Sequence, residues 1–230
     1  MVTIEPFSAD GTYTLSWQVP EGVVSHYQIM ENDRARVTGV TTTSADLENT
    51  IDGTYRYRVS ACNSAGCSAY SEQEASIEVL HAPSIPQFLG GDSQNNGAGY
   101  YWLYWTAPES GRVDLYQIKT SNSPHNSWQT AIDAGTSFEY TFTNPDGEYH
   151  YSVRACNRFA NGTLNCGPAT AEHSVDMLNA PATPIGLAFF DTDPANGNYK
   201  LAWDAPQGTT EYYQLLENDR TGINNLTQTQ

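Results

Sequence analysis

The sequence predicts an all-β protein, a tandem of immunoglobulin-like β-sandwiches with two complete units and a third incomplete one. Three observations lead there. A Trp-x-x-Pro signature occurs three times, at Trp17 and Pro20, Trp105 and Pro108, and Trp203 and Pro206. The stretch HYQIMENDR at 26–34 returns as YYQLLENDR at 212–220, the mark of an internal repeat. Apolar and polar residues alternate with period two in short runs bounded by Gly, Asn, Asp and Pro, which is the pattern of half-buried antiparallel strands. The 15 Tyr and 5 Trp beside 3 Met add to the preference for strands over helices.

Taken in chain order, the first strand with clear alternation covers 13–19, with Tyr13, Leu15, Trp17 and Val19 on one face. The next carries Tyr-Gln, seen as Tyr27-Gln28, Tyr116-Gln117 and Tyr213-Gln214. A later strand is written DGTYRYRVSACN at 52–63 and DGEYHYSVRACN at 146–157. In the first copy Tyr55, Tyr57, Val59 and Ala61 point inward, and Arg56, Arg58 and Ser60 outward. The third copy never reaches this strand. HAPSIP at 81–86 and NAPATP at 179–184 are the joints, where paired prolines stiffen a short linker. The expected units are 1–82, 83–180 and 181–230, the last an N-terminal half whose NNLTQTQ forms its final strand. Leu201, Trp203, Tyr213 and Leu215 would then lack much of their facing sheet. The chain is therefore expected to be part of a longer protein.

The pattern Trp-x-x-Pro, Tyr-Gln, Gly-x-Tyr-x-Tyr-x-Val-x-Ala-Cys-Asn resembles the fibronectin type III module. The resemblance covers nearly the whole chain. It implies a sandwich in which Trp17, Trp105 and Trp203 are the strand B tryptophans and Tyr55 and Tyr149 the strand F tyrosines, all structural. The Ala-Cys-Asn form with a second Cys resembles modules of large secreted bacterial proteins, where they lie between catalytic, binding or adhesin domains. The fold serves many roles, so it names no function by itself.

The four cysteines fall as C-x4-C (Cys62, Cys67) and C-x9-C (Cys156, Cys166), each pair at the same place in its repeat. Cys62 follows the inward Ala61 and is expected to point outward, with its partner across the hairpin at the start of strand G. Disulfides stapling these F–G loops would contribute roughly 2–3 kcal/mol each. They imply an oxidising compartment, so a secreted or cell-surface location is expected. Zinc is the competing reading, but it needs four ligands converging from two repeats, and neither spacing matches a zinc knuckle. Free thiols are the third.

Composition limits the partners. The net charge of −16 disfavours nucleic acid and anionic membrane, because binding phosphates takes clustered Lys and Arg. No apolar run is long enough to insert in a membrane, and the start lacks a signal-peptide pattern. The five His are scattered, and no nucleophile elbow, phosphate loop or zinc-protease motif occurs. The glycine-rich run at 90–99 reads as an A–B loop. DTDPANG at 191–197 starts like a calcium loop but has Ala195 and Ala202 where ligands belong, and reads as a turn, a looser calcium site being the other reading. Glu31 and Asp33, with Glu217 and Asp219, read as solvated acids at the end of strand C. No catalytic residue, metal site or cofactor is expected, and the chain is not expected to be an enzyme.

One stretch stands out, YYWLYW at 100–105. With Trp105, Leu103 and Tyr101 inward, Tyr100, Trp102 and Tyr104 point outward. Such a row can stack on sugar rings or anchor a protein, and Trp128 could extend it; packing against a neighbouring unit is the alternative. The outward positions of the other repeats are Thr14, Ser16 and Gln18, and Lys200, Ala202 and Asp204, so the row belongs to repeat two alone. The function expected is thus a non-catalytic spacer or interaction segment of a larger secreted or surface protein, whose partners are neighbouring domains of its own chain. The alternative is an adhesion module that binds polysaccharide or a surface protein through the aromatics of repeat two.

Overall fold

The structure is a computed structural model that describes residues 1–93, 99–122, 125–193, 195–218 and 220–227. Every regular element among them is a strand, and no helix is long and apolar enough to cross a membrane.

In repeat one, β1 (Val2–Thr3), β3 (Thr12–Trp17) and β6 (Ser44–Glu48) form one sheet. The second sheet holds β2 (Phe7–Ser8), β9 (Ala75–Val79), β7 (Gly53–Asn63), β4 (His26–Glu31) and β5 (Arg34–Val40) in that order, with β8 (Gly66–Cys67) also paired to β7. The first strand is shared between the sheets: β1 runs antiparallel to β3, and β2 parallel to β9. Alternation supplies the core: Leu15 and Trp17 face Ile29, Tyr57 and Ile77. Val19 departs from the expected face. β3 ends at Trp17, before Pro20, and Val19 is 66% exposed.

Repeat two repeats this plan. β10 (Gln87–Ser93), β11 (Tyr100–Thr106) and β14 (Glu139–Thr143) form one sheet. β13 (Ile132–Gly135), β12 (Leu115–Thr120), β15 (Gly147–Arg158) and β16 (Leu164–Ala169) form the other, with β17 (His173–Met177) on β15. Tyr101, Leu103 and Trp105 pack on Tyr116, Ile118, Tyr151 and Val153. Gly90 to Ser93 lie in β10 and not in a loop; residues 94–98 of that run lie outside the described residues.

The strand F tyrosines hold corners. Tyr55 Oη donates to Ile51 O at 2.8 Å and Tyr149 Oη to Pro145 O at 3.1 Å, each four residues upstream, as tyrosine corners of sandwich folds do. Tyr149 is buried, but Tyr55 is only half-buried, so it is a corner at the core's edge and not a core residue.

The third repeat has β18 (Ile185–Asp193) paired with β19 (Asn198–Asp204), and β20 (Tyr213–Glu217) paired with β21 (Arg220–Leu226). An open apolar cleft of about 480 Å³ lies between the two pairs, lined among others by Leu187, Phe189, Leu201, Trp203 and Leu215. Trp203 stacks edge-on with Tyr213 at 5.3 Å, as Trp17 does with Tyr27 and Trp105 with Tyr116. It is nevertheless half-buried where Trp105 is 2% exposed, because it borders the open cleft. Of the DTDPANG run, Pro194 and the side chains of 191–193 lie outside the described residues.

Candidate functional site

The aromatic row stands on the outer face of β11. Tyr100, Trp102 and Tyr104 are 42%, 43% and 37% exposed, while Tyr101, Leu103 and Trp105 between them are buried. Directly opposed residues of neighbouring strands share a face. Trp102 is thus flanked by Asp92 and Thr141, Tyr104 by Gly90 and Glu139, and Tyr100 by Thr143. Short and polar neighbours leave the rings uncovered, and two carboxylates border them. In repeat one the same face carries Thr14, whose hydroxyl donates to Asp46 Oδ1 at 2.6 Å. In repeat three Lys200 lies over Phe190 at 6.0 Å.

Trp128 does not join this row. It lies half-buried against the opposite sheet, with Arg154 Cζ 4.2 Å from its ring centroid and Lys119 Nζ at 5.8 Å. Arg154 in turn donates to Gln117 Oε1 through Nε and Nη2, at 3.1 and 2.7 Å. Trp128 therefore caps a cation on β15, a position no periodicity in 121–131 could reveal.

Both cysteine pairs are disulfides, Cys62 to Cys67 and Cys156 to Cys166, and no cysteine is free. Ala61 packs against the core and Cys62 lies outside that cluster, on the outward side of β7 as expected, but it is covered there. It is 2% exposed, and Ser60 beside it is also buried. The chain after β8 folds back on β7: Ser68 N donates to Ala61 O, and Ser60 Oγ to Ser68 O.

Glu31 is not a solvated acid. Its carboxylate accepts hydrogen bonds from Tyr57 Oη and from Asn49 Nδ2, and lies 3.5 Å from Arg36 Nε. Burial, reinforced by the bond to Glu31, pushes the Tyr57 phenol far above its ordinary value. Asp33 is exposed in the turn, at φ 64°.

The feature that sequence reasoning missed is the joint between repeats one and two. The β15–β16 hairpin of repeat two reaches back over the linker. Asn165 Nδ2 donates to Leu80 O at 2.6 Å, Asn157 Nδ2 to His81 O at 2.7 Å, and Ala160 N to Glu78 Oε2 at 2.8 Å. The Phe159 ring packs on Phe7 at 5.0 Å and is 7% exposed. Two glycines let Pro83 dock. A Cβ at Gly167 would lie 1.8 Å from Pro83 O, and one at Gly111 (φ +90°) 2.6 Å from Pro83 Cα. At the other end of the linker His81 N and Nδ1 contact Asp52 Oδ1 at 2.8 and 2.7 Å. Burial works against charge on Asp52, but these His81 contacts outweigh it and hold the carboxyl below its ordinary value. The one available signal was the recurrence of a glycine just after Pro108 and Pro206, at Gly111 and Gly208.

The second joint reuses the linker geometry. Ala182 N donates to Gln207 O as Ser84 N does to Ser110 O, both at 2.9 Å. A Cβ at Gly208 would lie 3.2 Å from Pro181 Cα. Asp146 takes the place of Asp52: its Oδ1 accepts from Asn179 N and Nδ2, at 2.7 and 2.9 Å, and its Oδ2 from Thr209 Oγ1 at 3.0 Å. The Asn179 backbone and side-chain bonds hold its carboxyl low. No hairpin reaches over this linker among the described residues, and a cleft of about 600 Å³ lies there instead, lined by Leu178, Pro181, Thr209 and Tyr212 among others.

Two closed β-sandwiches with tyrosine corners and a buried strand B tryptophan, followed by an open third unit, have the fibronectin type III-like architecture that the sequence resemblance implied. No family model matches the chain. Human usherin is 22% identical over 218 residues, a match that takes in 90% of this chain and 4% of usherin. Among solved structures, the FN1–FN3 domains of chicken CNTN1 match at 20% identity and a TM-score of 0.39, over 77% of this chain and 63% of that one. A two-domain fibronectin type III segment of chicken tenascin matches at 14% identity and a TM-score of 0.41, over 76% and 97%. The fibronectin(III)-like modules of Clostridium thermocellum CbhA match at 18% and 0.39, over 78% and 94%.

Proposed function

We propose that this chain is a non-catalytic spacer, a tandem of modules at 1–82, 83–180 and 181–230 that belongs to a larger secreted or surface protein of the bacterial type and fixes the spacing and direction of its neighbours. The observation that carries this is the hairpin-braced joint. Three hydrogen bonds and the packing of buried Phe159 on half-buried Phe7 set one direction between repeats one and two. Two disulfides support an extracytoplasmic location. Residual dipolar couplings on the full chain test the reading. A single alignment tensor shared by repeats one and two is the expected result; independent tensors would sink the spacer.

A second reading rests on the uncovered row of Tyr100, Trp102 and Tyr104. In it repeat two binds a polysaccharide or a surface protein by ring stacking. The full chain is screened against a polysaccharide panel beside Trp102→Ala and Trp128→Ala. Binding lost only in the first variant supports this reading, because Trp128 is on the opposite sheet. Binding lost equally in both, or absent throughout, removes it.

A further inference from the structure

We propose that the end of repeat one carrying Cys62–Cys67 is a redox-gated metal site, in which the two cysteines, once reduced, bind Zn²⁺ together with His26. The register places the three side by side. His26 is directly opposite Cys62 on β4 and β7, and Cys62 directly opposite Cys67 on β7 and β8. Residues paired this way across adjacent strands project from the same face. Both Sγ atoms and a ring nitrogen of His26 lie within 4.8 Å of one another. A tetrahedral zinc needs bonds of about 2.3 Å to sulfur and about 2.0 Å to nitrogen. Reduction frees both thiol side chains to rotate toward those distances.

A neighbouring hydroxyl prepares the histidine. Ser25 Oγ lies 3.0 Å from both Cys62 O and His26 Nδ1. With its proton on Cys62 O, it accepts from Nδ1–H, and that tautomer offers the Nε2 lone pair to a metal. A second hydrogen bond of this kind is what metal-binding histidines use to fix their tautomer.

Repeat two is the internal control. Its disulfide has the same register, with Leu115 opposite Cys156 and Cys156 opposite Cys166. Leu115 stands where repeat one has His26, and Leu115 and Cys156 are buried. That pair lacks the nitrogen ligand, and its less buried sulfur, on Cys166, is only half-exposed. Cys67, in contrast, is exposed and open to attack by an external thiolate.

The chemistry closes with a dithiol as reductant. Its thiolate attacks Cys67 Sγ, the S–S bond breaks, and Cys62 leaves as a thiolate. The second thiol of the reagent then displaces Cys67 and closes a cyclic disulfide. The protein gains two electrons and two protons; the dithiol loses them. Zn²⁺ binding then releases the two thiol protons to solvent. Two thiolates, one imidazole and a water complete four-coordination, a set suited to a borderline-soft d¹⁰ cation.

The full chain, reduced with dithiothreitol and desalted without oxygen, is titrated with Zn²⁺ against a chromophoric chelator. Co²⁺ is titrated in parallel, and thiolate-to-cobalt charge-transfer absorption is followed. Circular dichroism checks the fold of every sample. One equivalent bound by the reduced chain and none by the oxidised chain is the expected result. His26→Leu, which writes the repeat-two residue into repeat one, loses the site, and Ser25→Ala weakens it about tenfold. A Cys156→Ser, Cys166→Ser double variant keeps it. Three results each overturn the proposal: no binding by the folded, reduced chain; equal binding by His26→Leu; or binding that disappears with Cys156 and Cys166 while Cys62 and Cys67 remain.

Discussion

At the first joint the linker docks against Gly111 and Gly167 and a hairpin closes over it; at the second the linker docks against Gly208 with no hairpin above it among the described residues. The common part is set by proline and glycine. Pro83 and Pro181 have no N–H to satisfy and a fixed φ, so they can lie flat against a backbone that lacks a Cβ. The difference is the hairpin. Cys156–Cys166 bridges its base, with Asn157 opposite Asn165 directly beyond. The staple thus acts at a distance: it holds both asparagines where Leu80 and His81 present their carbonyls. Linker composition gives direction, and a pinned loop from the next repeat locks it.

Phe159→Ala strikes the first joint hardest. The ring is 7% exposed and leaves a cavity against Phe7, which costs about 3 kcal/mol. Denaturant unfolding of the full chain should show one joint transition for repeats one and two, and two separate ones in the variant. An unchanged single transition would mean that the hairpin does not couple them. Asn165→Ala comes next. It strands the carbonyl of Leu80, a residue only 3% exposed, at a cost of about 1–3 kcal/mol. Asn179→Ala at the second joint should move the melt far less, because Asp146 lies open to water there. Equal losses in the two variants would erase the distinction between the joints.

The sandwich was legible because a half-buried strand has a period of two and a shift of one residue exposes its whole apolar face. That constraint is local, so Leu103 and Trp105 could be placed inside, and Trp102 and Tyr104 outside, from five residues of sequence. What was missed depended on contacts that strand periodicity does not encode. Cys62 is buried by residues 66–71 folding back, Trp128 is drawn to Arg154 of another strand, and Glu31 meets Tyr57 and Asn49 only across the fold. Phe159 had no periodic signal at all: in NRFANG it reads as a hairpin tip, and only the approach of Phe7 gives it a role.

Acid should separate the joints by a smaller effect. The carboxyls of Asp52 and Asp146 are both held below the ordinary value of 3.8 by bonds from the linker. A depressed pKa means that the folded joint favours the carboxylate. Its contribution is full above the ordinary value and is lost as the pH falls through the depressed one. Both groups are substantially solvated, so the loss is modest. At the second joint the aspartate is a principal anchor of the linker, whereas at the first the carbonyls of Leu80 and His81 also hold it, and carbonyls do not titrate in this range. Residual dipolar couplings at neutral pH and at a pH well under the ordinary carboxyl value, low enough to protonate the depressed group, should therefore show the second joint loosening while the first keeps its angle. Asp146→Asn should loosen the second joint already at neutral pH and remove its acid response. If both joints loosen together in acid, the hairpin adds no restraint of its own, and the first joint is held by its linker as the second is.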